Sequence, residues 1–273
     1  MTRFSVLISI YKGDNAQYFD RALRSIWDEQ NVTPSEIVLV EDGPLSDELH
    51  QVVRHWKSRL SEVLQVVTLG KNMGVGAAKH VGVEACSNEL IAVMDADDIS
   101  LPDRFEKQLA LFSDSNLDVC GSWVGEFINN EDDLVSFRRT PERHENIVKF
   151  AKSRSPINHP TAMYKKSVVL RVGSYTNYRT SEDFDLFVKL IMDGAKLYNI
   201  QEPLVNMRIG SGQLSARRGG LKNAVFEVKV QRNFYKMGFL NFYEVTRNIL
   251  IGFLVRMLPN GLMVMVFGLI RKL

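Results

Sequence analysis

Three carboxylates, Asp95, Asp97 and Asp98, follow directly on an apolar run of the chain. Like charges this close repel one another, and a bound cation relieves the repulsion. Mg²⁺ and Mn²⁺ suit carboxylate oxygens and, when few carboxylates bind them, complete their shells with water and substrate phosphates. The pattern therefore predicts a site for a divalent metal and a phosphate group. The alternative is a solvated acidic loop that begins a helix, with Asp98 or Ser100 as its N-cap.

These carboxylates stand in a chain that alternates apolar strand-like runs with amphipathic helical segments. The strand-like runs are 4–11, 36–42, 63–69, 90–95 and 117–124, and the later helical segments are 74–85 and 101–112. This alternation predicts an α/β fold whose mostly parallel sheet is covered by helices on both faces. Ligands bind beyond the carboxyl ends of the strands in such sheets. We therefore expect Tyr11, Asp42, Asn72 and Asp95 to share one edge.

The alternation stops near residue 124, which divides the chain. Residues 1–124 form the alternating half, and residues 125–216 are predicted to be a mixed half that shapes a substrate site. Together they make one domain, 1–216. The glycine-containing stretch 210–220 is predicted to be a mobile loop or linker.

The composition is that of an ordinary folded protein. The chain has 273 residues, 45% of them hydrophobic and 24% charged, so it can bury a sizeable core and is not disordered. Its cysteines, Cys86 and Cys120, lack metal-ligand spacing, which predicts buried free thiols in a reducing compartment. The apolar run at the N-terminus is too short for a signal peptide, so we expect the protein to stay in the cytoplasm.

The tail, residues 217–273, is basic and apolar. It holds 10 Lys and Arg against 2 Asp and Glu, whereas the whole chain is near neutral at +2. Its longest uncharged run, 257–270, has 14 residues and contains Pro259, while a membrane-spanning helix needs roughly 20 apolar residues. We therefore expect amphipathic helices that lie on an anionic membrane surface. A docking or homodimer helix is the alternative. Nucleic acid is not expected, because the basic residues are interleaved with apolar runs.

Five motifs together resemble the family 2 glycosyltransferases. In chain order they are ISIYKGD, VLVEDG, KNMGVGAAKHVG, VMDADDISLPDRFEKQ and SEDFDL, and they extend over residues 4–210. The resemblance implies a GT-A fold, with residues 1–124 binding the nucleotide and residues 125–216 the acceptor. The chain is also similar to enterobacterial enzymes that build exopolysaccharide or O-antigen repeat units on a lipid carrier.

The resemblance implies roles for residues on the donor side. The nucleotide would be bound by Ser9, Tyr11, Asp42, Asn72, Gly74, Lys79 and Asp95, and the metal by Asp95 and Asp97. Tyr11 would pack against the base, and Asp42 would accept a hydrogen bond from uracil N3–H. Asp42 could equally be a turn former before Gly43, and Lys79 an exposed helix lysine.

The resemblance also implies the catalytic base. Glycosyl transfer with inversion needs one base for the acceptor hydroxyl, and a metal can take up the charge of the leaving diphosphate. Asp183 would be that base, Glu182 and His159 would face the acceptor, and Arg208 would contact the diphosphate. An acidic helix start favoured by the helix dipole is compatible with this role for Asp183. His159 could instead be structural, and Arg208 a surface arginine.

The sequence thus predicts an inverting, metal-dependent glycosyltransferase. Its donor would be a UDP-hexose, its cofactor Mn²⁺ or Mg²⁺, and its acceptor a sugar on a polyprenyl pyrophosphate at the inner face of the cytoplasmic membrane. Two alternatives stay open. One is a phosphotransferase with an Asp-x-Asp nucleophile, although Ile99 stands where that chemistry would prefer Ser or Thr nearby. The other is a non-catalytic module that binds sugar nucleotides or membranes.

Overall fold

The computed structural model describes residues 2–113, 116–178, 180–210 and 221–257, with the backbone alone at 221–223 and 256–257. Two predicted features, the loop after Gly210 and the uncharged run that starts at Met257, fall almost entirely outside the described residues. Within those ranges the chain forms nine strands, nine α-helices and one 3-10 turn.

The elements alternate at first and then become irregular in order. The strands are β1 (Phe4–Ile10), β2 (Glu36–Glu41), β3 (Leu64–Thr68), β4 (Leu90–Met94), β5 (Ile99–Ser100), β6 (Val119–Phe127), β7 (Leu134–Arg138), β8 (Met163–Lys165) and β9 (Leu197–Arg208). The helices are α1 (Ala16–Ile26), α2 (Asp47–Leu60), α3 (Val75–Ala85), α4 (Arg104–Phe112), α5 (His144–Ala151), α6 (Lys166–Arg171), α7 (Glu182–Met192), α8 (Leu221–Lys236) and α9 (Phe242–Met257). The 3-10 turn is His159–Thr161.

Four parallel strands form the first half of the sheet, in the order β3-β2-β1-β4. The helices α1, α2 and α3 connect successive strands, as the alternation predicted. The strands β1, β2 and β4 are buried almost throughout, as expected of parallel strands covered on both faces. Ile10 pairs with Glu41 and Ile8 with Met94. The residues that follow these strands therefore meet at one edge of the sheet.

Side chains of the parallel half alternate between two apolar cores. Val6 and Ile8 of β1 face one core, to which α2 contributes the fully buried Trp56. Leu7 faces the other core, together with Val83 of α3. Full burial of an aliphatic or aromatic side chain contributes about 1.5–3 kcal/mol, so these alternating positions fix the register of the strands.

The sheet changes from parallel to antiparallel pairing at β4. The next strand is the short β8, which runs antiparallel to β4, and β6, β9 and β5 follow. The fifth apolar run of the sequence is β6, which lies beyond β8 and extends to Phe127. Because β8 runs against β4, the 3-10 turn before β8 lies at the carboxyl end of β4. The N–H of Val93 donates to the carbonyl of Ala162 over 2.8 Å at this junction.

The helices α8 and α9 pack against each other and against the domain. Their shared core includes Phe184 and Val188 of α7, Phe234 of α8 and Val245 of α9. The rings of Phe184 and Phe234 meet edge-on with centroids 4.9 Å apart. Among the described residues, no helix is both long enough and apolar enough to cross a bilayer.

Candidate active site

The turn after β4 concentrates negative charge. Asp98 is only 2% exposed, while Asp95 and Asp97 are partly exposed. The backbone N–H of Arg208 donates to Asp98 Oδ1 over 3.0 Å, which fastens the turn to the end of β9. Burial, and then the charges of Asp97 and Asp95, raise the pKa of Asp98 well above its usual range. Asp98 is thus an internal anchor and not a helix cap, since α4 begins further along the chain.

Lys79 of α3 joins this turn from inside the protein. Its ammonium Nζ donates to Asp95 Oδ1 over 2.9 Å, and only 2% of the residue is exposed. Burial by itself lowers the pKa of Lys79, but the charges of Asp95, Glu182 and Asp183 raise it above its usual value. The alternative of an exposed helix lysine is therefore wrong. The charges of both acidic segments of the sequence therefore act on Lys79.

His159 lies beside Lys79, in the 3-10 turn at the end of β4. Its Nδ1 is 3.0 Å from Lys79 Nζ, and its Nε2 is 2.9 Å from the hydroxyl of Tyr175. Burial, followed by the charge of Lys79, lowers the pKa of His159 to about 4. The imidazole is therefore neutral at physiological pH, and both of its nitrogens are engaged inside the protein.

Asp42, at the end of β2, holds the loop before α3. Its Oδ1 accepts from the N–H of Met73 over 2.6 Å and its Oδ2 from the N–H of Gly74 over 3.0 Å. The amide of Asn72 donates to the carbonyl of Asp42 over 3.2 Å. A side chain at Gly43, where φ is +86°, would lie 2.5 Å from the backbone N of Asn72. The predicted nucleotide loop is thus a preformed structure built on Asp42.

Tyr11 follows β1 and so lies next to Asp42 at the sheet edge. Its ring lies over Gly13, where a Cβ atom would come within 2.5 Å of the ring. Its N–H donates to Asp14 Oδ2 over 2.9 Å, which closes a tight turn. Ser9 lies two residues earlier in β1 and is partly exposed. The aromatic face at this edge offers a surface for stacking, and Gly13, which sequence reasoning missed, makes its position possible.

Glu182 and Asp183 form the first turn of α7, as predicted. The preceding residue, Ser181, has φ of +65°, a left-handed conformation that is uncommon outside glycine. Burial, and then the neighbouring Asp183, raise the pKa of Glu182 to about 7. The hydroxyl of Ser155 donates to Asp183 Oδ2 over 3.4 Å. The left-handed residue thus directs an acidic helix start toward Lys79 and the turn after β4.

Asp185, in the same turn of α7, is fully buried and fixes the helix to the domain. The hydroxyl of Thr176 donates to its Oδ2, and Lys189 Nζ lies 2.7 Å from the same oxygen. Asn233 of α8 donates to Oδ1 over 3.5 Å. Sequence reasoning gave Asp185 no role. The lysine four residues later on the same helix was the one signal that could have found this pair.

Arg208, at the end of β9, packs beside the acidic turn. Its guanidinium carbon lies 3.8 Å from the ring centroid of Tyr18 and 4.5 Å from that of Phe127. Its Nε donates to the carbonyl of Asp97 over 3.4 Å, and its Nη1 to the carbonyl of Asn129 over 3.3 Å. Arg208 is therefore a held cation next to the predicted metal site, although sequence reasoning did not find its aromatic partners.

Asp95 and Asp97 are the carboxylates at this edge that suit a divalent metal. Among the described residues, no three His, Cys, Asp or Glu side chains converge closely enough to hold a metal by themselves. Mg²⁺ bound with a nucleotide commonly uses one or two carboxylates and completes its shell with water and phosphate oxygens. The accumulated charge around buried Asp98 also fits a cation. The residues present therefore fit a metal that binds together with a diphosphate.

The sequence of the chain matches known proteins along nearly its whole length. The model of Glycosyl transferase family 2 matches residues 5–173. The UDP-Gal:alpha-D-GlcNAc-diphosphoundecaprenol beta-1,3-galactosyltransferase of Escherichia coli is 37% identical over 260 residues, which are 95% of this chain and 93% of that protein. The amylovoran biosynthesis glycosyltransferase AmsE of Erwinia amylovora is 33% identical over 272 residues, 98% of this chain and 99% of AmsE.

Solved structures with low sequence identity share the architecture. The first, S. aureus TarS 1–349, superimposes with a TM-score of 0.66 at 18% identity, covering 93% of this chain and 71% of that one. The mannosyltransferase PcManGT from Pyrobaculum calidifontis, in complex with GDP-Man and Mn²⁺, gives 0.65 at 16% identity, covering 96% and 71%. These similarities confirm the predicted GT-A fold.

The family match extends over most of the site. Residues 5–173 include the three strand ends, Lys79, the acidic turn and His159. The full-length relatives continue past Asp183 and Arg208 into the C-terminal helices. The match favours glycosyl transfer over the phosphotransferase alternative. This chain is a glycosyltransferase and belongs to glycosyl transferase family 2.

Proposed function

We propose that this glycosyltransferase moves a hexose, with inversion, from a UDP-sugar to a sugar on a polyprenyl pyrophosphate during the assembly of a bacterial surface polysaccharide. The observation that carries the proposal is the meeting of the two acidic segments: Lys79 binds Asp95 and lies within the electrostatic reach of Asp183. Support for the substrates comes from the E. coli relative, whose name states a UDP-Gal donor and a lipid diphosphate acceptor. Galactose is therefore the first sugar to test.

Asp183 is proposed to take the proton from the acceptor hydroxyl as that hydroxyl attacks the anomeric carbon. The side chain is partly exposed at the start of α7 and is steadied by Ser155. Glu182 is proposed to orient the acceptor, which suits a carboxyl whose pKa is raised to about 7 and which can therefore donate as well as accept. The sequence also predicted that His159 faces the acceptor, and this stays a prediction.

The base and ribose of the donor are proposed to bind at the ends of β1 and β2. Tyr11 would stack on the uracil with Ser9 beside it, and Asn72 and Gly74 would pass near the ribose. Asp42 already accepts two backbone N–H groups, but each carboxylate oxygen has two lone pairs, so it can still accept from uracil N3–H. The buried loop contacts support this role, because they hold the carboxylate in one orientation.

Asp97 and Asp95 would hold Mn²⁺ or Mg²⁺ together with the diphosphate. When bound, the metal stabilises the negative charge that develops on the leaving diphosphate. Arg208 is proposed to add a second cation to the same group. Its support is the stacking on Tyr18 and Phe127, which holds the guanidinium beside the acidic turn.

The outer side of α9 is proposed to rest on the cytoplasmic face of the inner membrane. Its exposed apolar residues are Phe242, Tyr243, Leu250, Ile251, Phe253 and Leu254, the first two being 73% and 72% exposed. Continuous apolar patches of this kind mark interaction surfaces, and the basic charge of residues 217–273 favours anionic lipid. The inner side of α9 shares an apolar cluster with α7, the helix whose first turn holds Asp183. A lipid-bound acceptor would then reach the base from the membrane.

A vesicle assay tests this placement. Replacing both Leu250 and Leu254 with Glu should abolish co-sedimentation with vesicles that contain phosphatidylglycerol. The control is Val135→Glu, at an exposed apolar site on β7 that is remote from α9 in sequence, and it should sediment like the unaltered protein. Equal sedimentation of all three proteins would overturn the membrane proposal and favour the docking alternative.

Calorimetric titration of UDP with and without Mn²⁺ tests the central proposal, followed by incubation with UDP-Gal, UDP-Glc or UDP-GlcNAc and a GlcNAc-diphospho-lipid. Metal-dependent UDP binding and transfer from one of these donors to the lipid is the expected result. UDP binding without transfer would leave the nucleotide site but overturn the proposed acceptor. No binding of UDP in either condition would overturn the roles of Asp42 and Asp97.

A further inference from the structure

A line of buried polar side chains leads from the acidic turn into the apolar core beneath α3. Lys79 Nζ lies 2.9 Å from Asp95 Oδ1 and 3.0 Å from His159 Nδ1. His159 Nε2 lies 2.9 Å from the hydroxyl of Tyr175, and this hydroxyl lies 3.2 Å from that of Tyr164. Both tyrosines are buried in the same apolar cluster. Tyr175 is thus connected to Asp95 through His159 and Lys79, and His159 Nδ1 itself lies 3.8 Å from Asp95 Oδ1.

The chemistry of Lys79 sets the direction of every bond in this line. An ammonium donates and cannot accept, so His159 Nδ1 must present its lone pair to Lys79. The ring proton then lies on Nε2 and is donated to the hydroxyl oxygen of Tyr175, whose own proton can pass on to Tyr164. The other tautomer of His159 would set an N–H against the ammonium and leave Nε2 without a proton for Tyr175. Lys79 thus fixes the tautomer of His159, since a hydroxyl could pair with Nε2 in either form, and Tyr175 holds the ring in place by accepting the Nε2 proton.

The position of Lys79 explains why its orientation matters. Its ammonium binds Asp95 on the donor side, and the charges of Glu182 and Asp183 on the acceptor side also act on it. A lysine has a flexible four-carbon stem and a point charge, so it does not orient itself as a planar arginine does. A second fixed acceptor, His159 Nδ1, restricts the ammonium to one position beside Asp95.

We propose that Tyr175 is a positioning residue, which acts through His159 to hold the ammonium of Lys79 beside Asp95, within the electrostatic reach of Asp183. The inference rests on the proposed function, because Asp183 is the base there. It also implies that His159 acts through Lys79 and not by a hydrogen bond to the acceptor, since both ring nitrogens are engaged.

The first test is Tyr175→Phe, which removes the hydroxyl and keeps the ring in the core. We expect kcat to fall at least 10-fold while the Kd for UDP changes less than 3-fold, because Asp95 still holds Lys79. Tyr198→Phe is the matched control: its hydroxyl binds Glu142, outside this line, and kcat should stay within 2-fold. A Tyr175→Phe enzyme that matches the control would overturn the proposal, as would a loss of UDP affinity equal to the loss of kcat.

A double-mutant cycle separates positioning from general packing. His159→Gln keeps one acceptor and one donor, so it should retain at least a third of kcat, whereas His159→Leu should lose at least 30-fold. If Tyr175 acts through His159, adding Tyr175→Phe to His159→Leu should lower kcat by less than 2-fold. Effects that multiply, or equal losses for Gln and Leu, would overturn the proposal. Melting temperatures of all variants show whether each one is folded, and His159→Gln keeps the test open if the Leu variant is not.

An NMR measurement on the unaltered protein makes the two proposals separable. Nitrogen-15 imidazole spectra report which ring nitrogen bears the proton, and His159→Gln identifies the signal among the 5 histidines. We expect the Nε2–H tautomer in the unaltered protein and in Tyr175→Phe, with the Nε2 signal shifted in the variant because its hydroxyl partner is lost. The expected tautomer without transfer from any UDP-sugar would overturn the proposed function alone. Transfer with the Nδ1–H tautomer, or with additive effects in the cycle, would overturn the positioning role alone.

Discussion

Two short acidic segments, residues 95–98 and 182–185, each end in a buried aspartate, and the two aspartates are held in different ways. Asp98 accepts a neutral backbone N–H from Arg208, and the nearby carboxylates of its own segment repel it. Asp185 is hydrogen-bonded by Thr176 and lies 2.7 Å from the ammonium of Lys189. The first segment accumulates negative charge. In the second segment, the buried carboxylate of Asp185 is neutralised by Lys189 of the same helix.

This difference matches the two halves of the proposed reaction. In the first segment Lys79 pairs with Asp95, and the segment still carries more negative than positive charge. Its carboxylates would bind a divalent metal, and the metal would bind the diphosphate. The second segment has its anchor satisfied, which leaves Glu182 and Asp183 at the start of α7 to meet the acceptor. Glu182, whose pKa is raised to about 7 by burial and by Asp183, lies beside the proposed base. In the proposed reaction, the first segment would bind the charged groups of the donor and the second would transfer the proton.

The largest effect should follow from Asp183→Asn, which removes the proposed base and keeps its shape. We expect kcat to fall by about 10³-fold, within the range for loss of a general base, while the Kd for UDP stays within 2-fold. Steady-state rates and calorimetry measure the two quantities. An Asp183→Asn enzyme with more than a tenth of the normal kcat would show that Asp183 is not the base.

Asp97→Asn, in the first segment, should instead weaken the binding of UDP, which Asp183→Asn leaves nearly unchanged. We expect the Kd for UDP in the presence of Mn²⁺ to rise by about 10- to 100-fold, since one carboxylate ligand is worth roughly 1.4–2.8 kcal/mol on this scale. Binding of UDP without metal should not change. Calorimetry at two Mn²⁺ concentrations measures both. If the titration curves match those of the unaltered protein, Asp97 is not a metal ligand.

The two buried aspartates should differ in their contribution to stability. Asp185→Asn leaves the ammonium of Lys189 without its anionic partner and should lower the free energy of unfolding by about 2 kcal/mol. Asp98→Asn keeps an oxygen for the N–H of Arg208 and relieves repulsion, so it should change that free energy by less than about 1 kcal/mol. Urea denaturation in metal-free buffer compares them. Equal losses would show that the two aspartates are held alike.

The last effect is a pH dependence of stability at Glu182. Its pKa rises from 4.5 to about 7 on folding, so the folded protein binds more protons than the unfolded chain between these values. Stability from this group is therefore present at low pH and lost as pH rises through that window. Relative to the unaltered protein, Glu182→Gln should gain about 2 kcal/mol between pH 5 and pH 8.

Urea denaturation across this pH range measures the Glu182 effect, with Glu202→Gln at an exposed site as the control. The control should follow the unaltered protein within about 0.5 kcal/mol at every pH, as surface changes usually do. If Glu182→Gln also runs parallel to the unaltered protein, the carboxyl of Glu182 titrates normally, and the contrast between the two segments weakens.

The parallel half of the fold could be predicted from sequence because its signals are local. Strands buried on both faces appear as continuous apolar runs, and their carboxyl ends must meet at one edge whatever the rest of the chain does. Asp42 and Asp95 were therefore correctly expected at a common edge. The mixed half gave weaker signals, since β8 has only three residues and β5 only two. Their pairing depends on partners distant in sequence.

The sequence by itself determined the residue types at the site: the carboxylates of residues 95, 97 and 98, the acidic start of α7 and the aromatic Tyr11. Only the tertiary structure decided what these groups touch. The antiparallel β8 brings His159 to the end of β4, and α3 turns Lys79 inward to meet it. The physical reason is that the type of a residue and the spacing of apolar residues around it are local properties of the sequence. The burial of a side chain and its hydrogen-bond partners depend on elements far apart in the chain. A lysine on a helix has the same local pattern whether it faces water or Asp95.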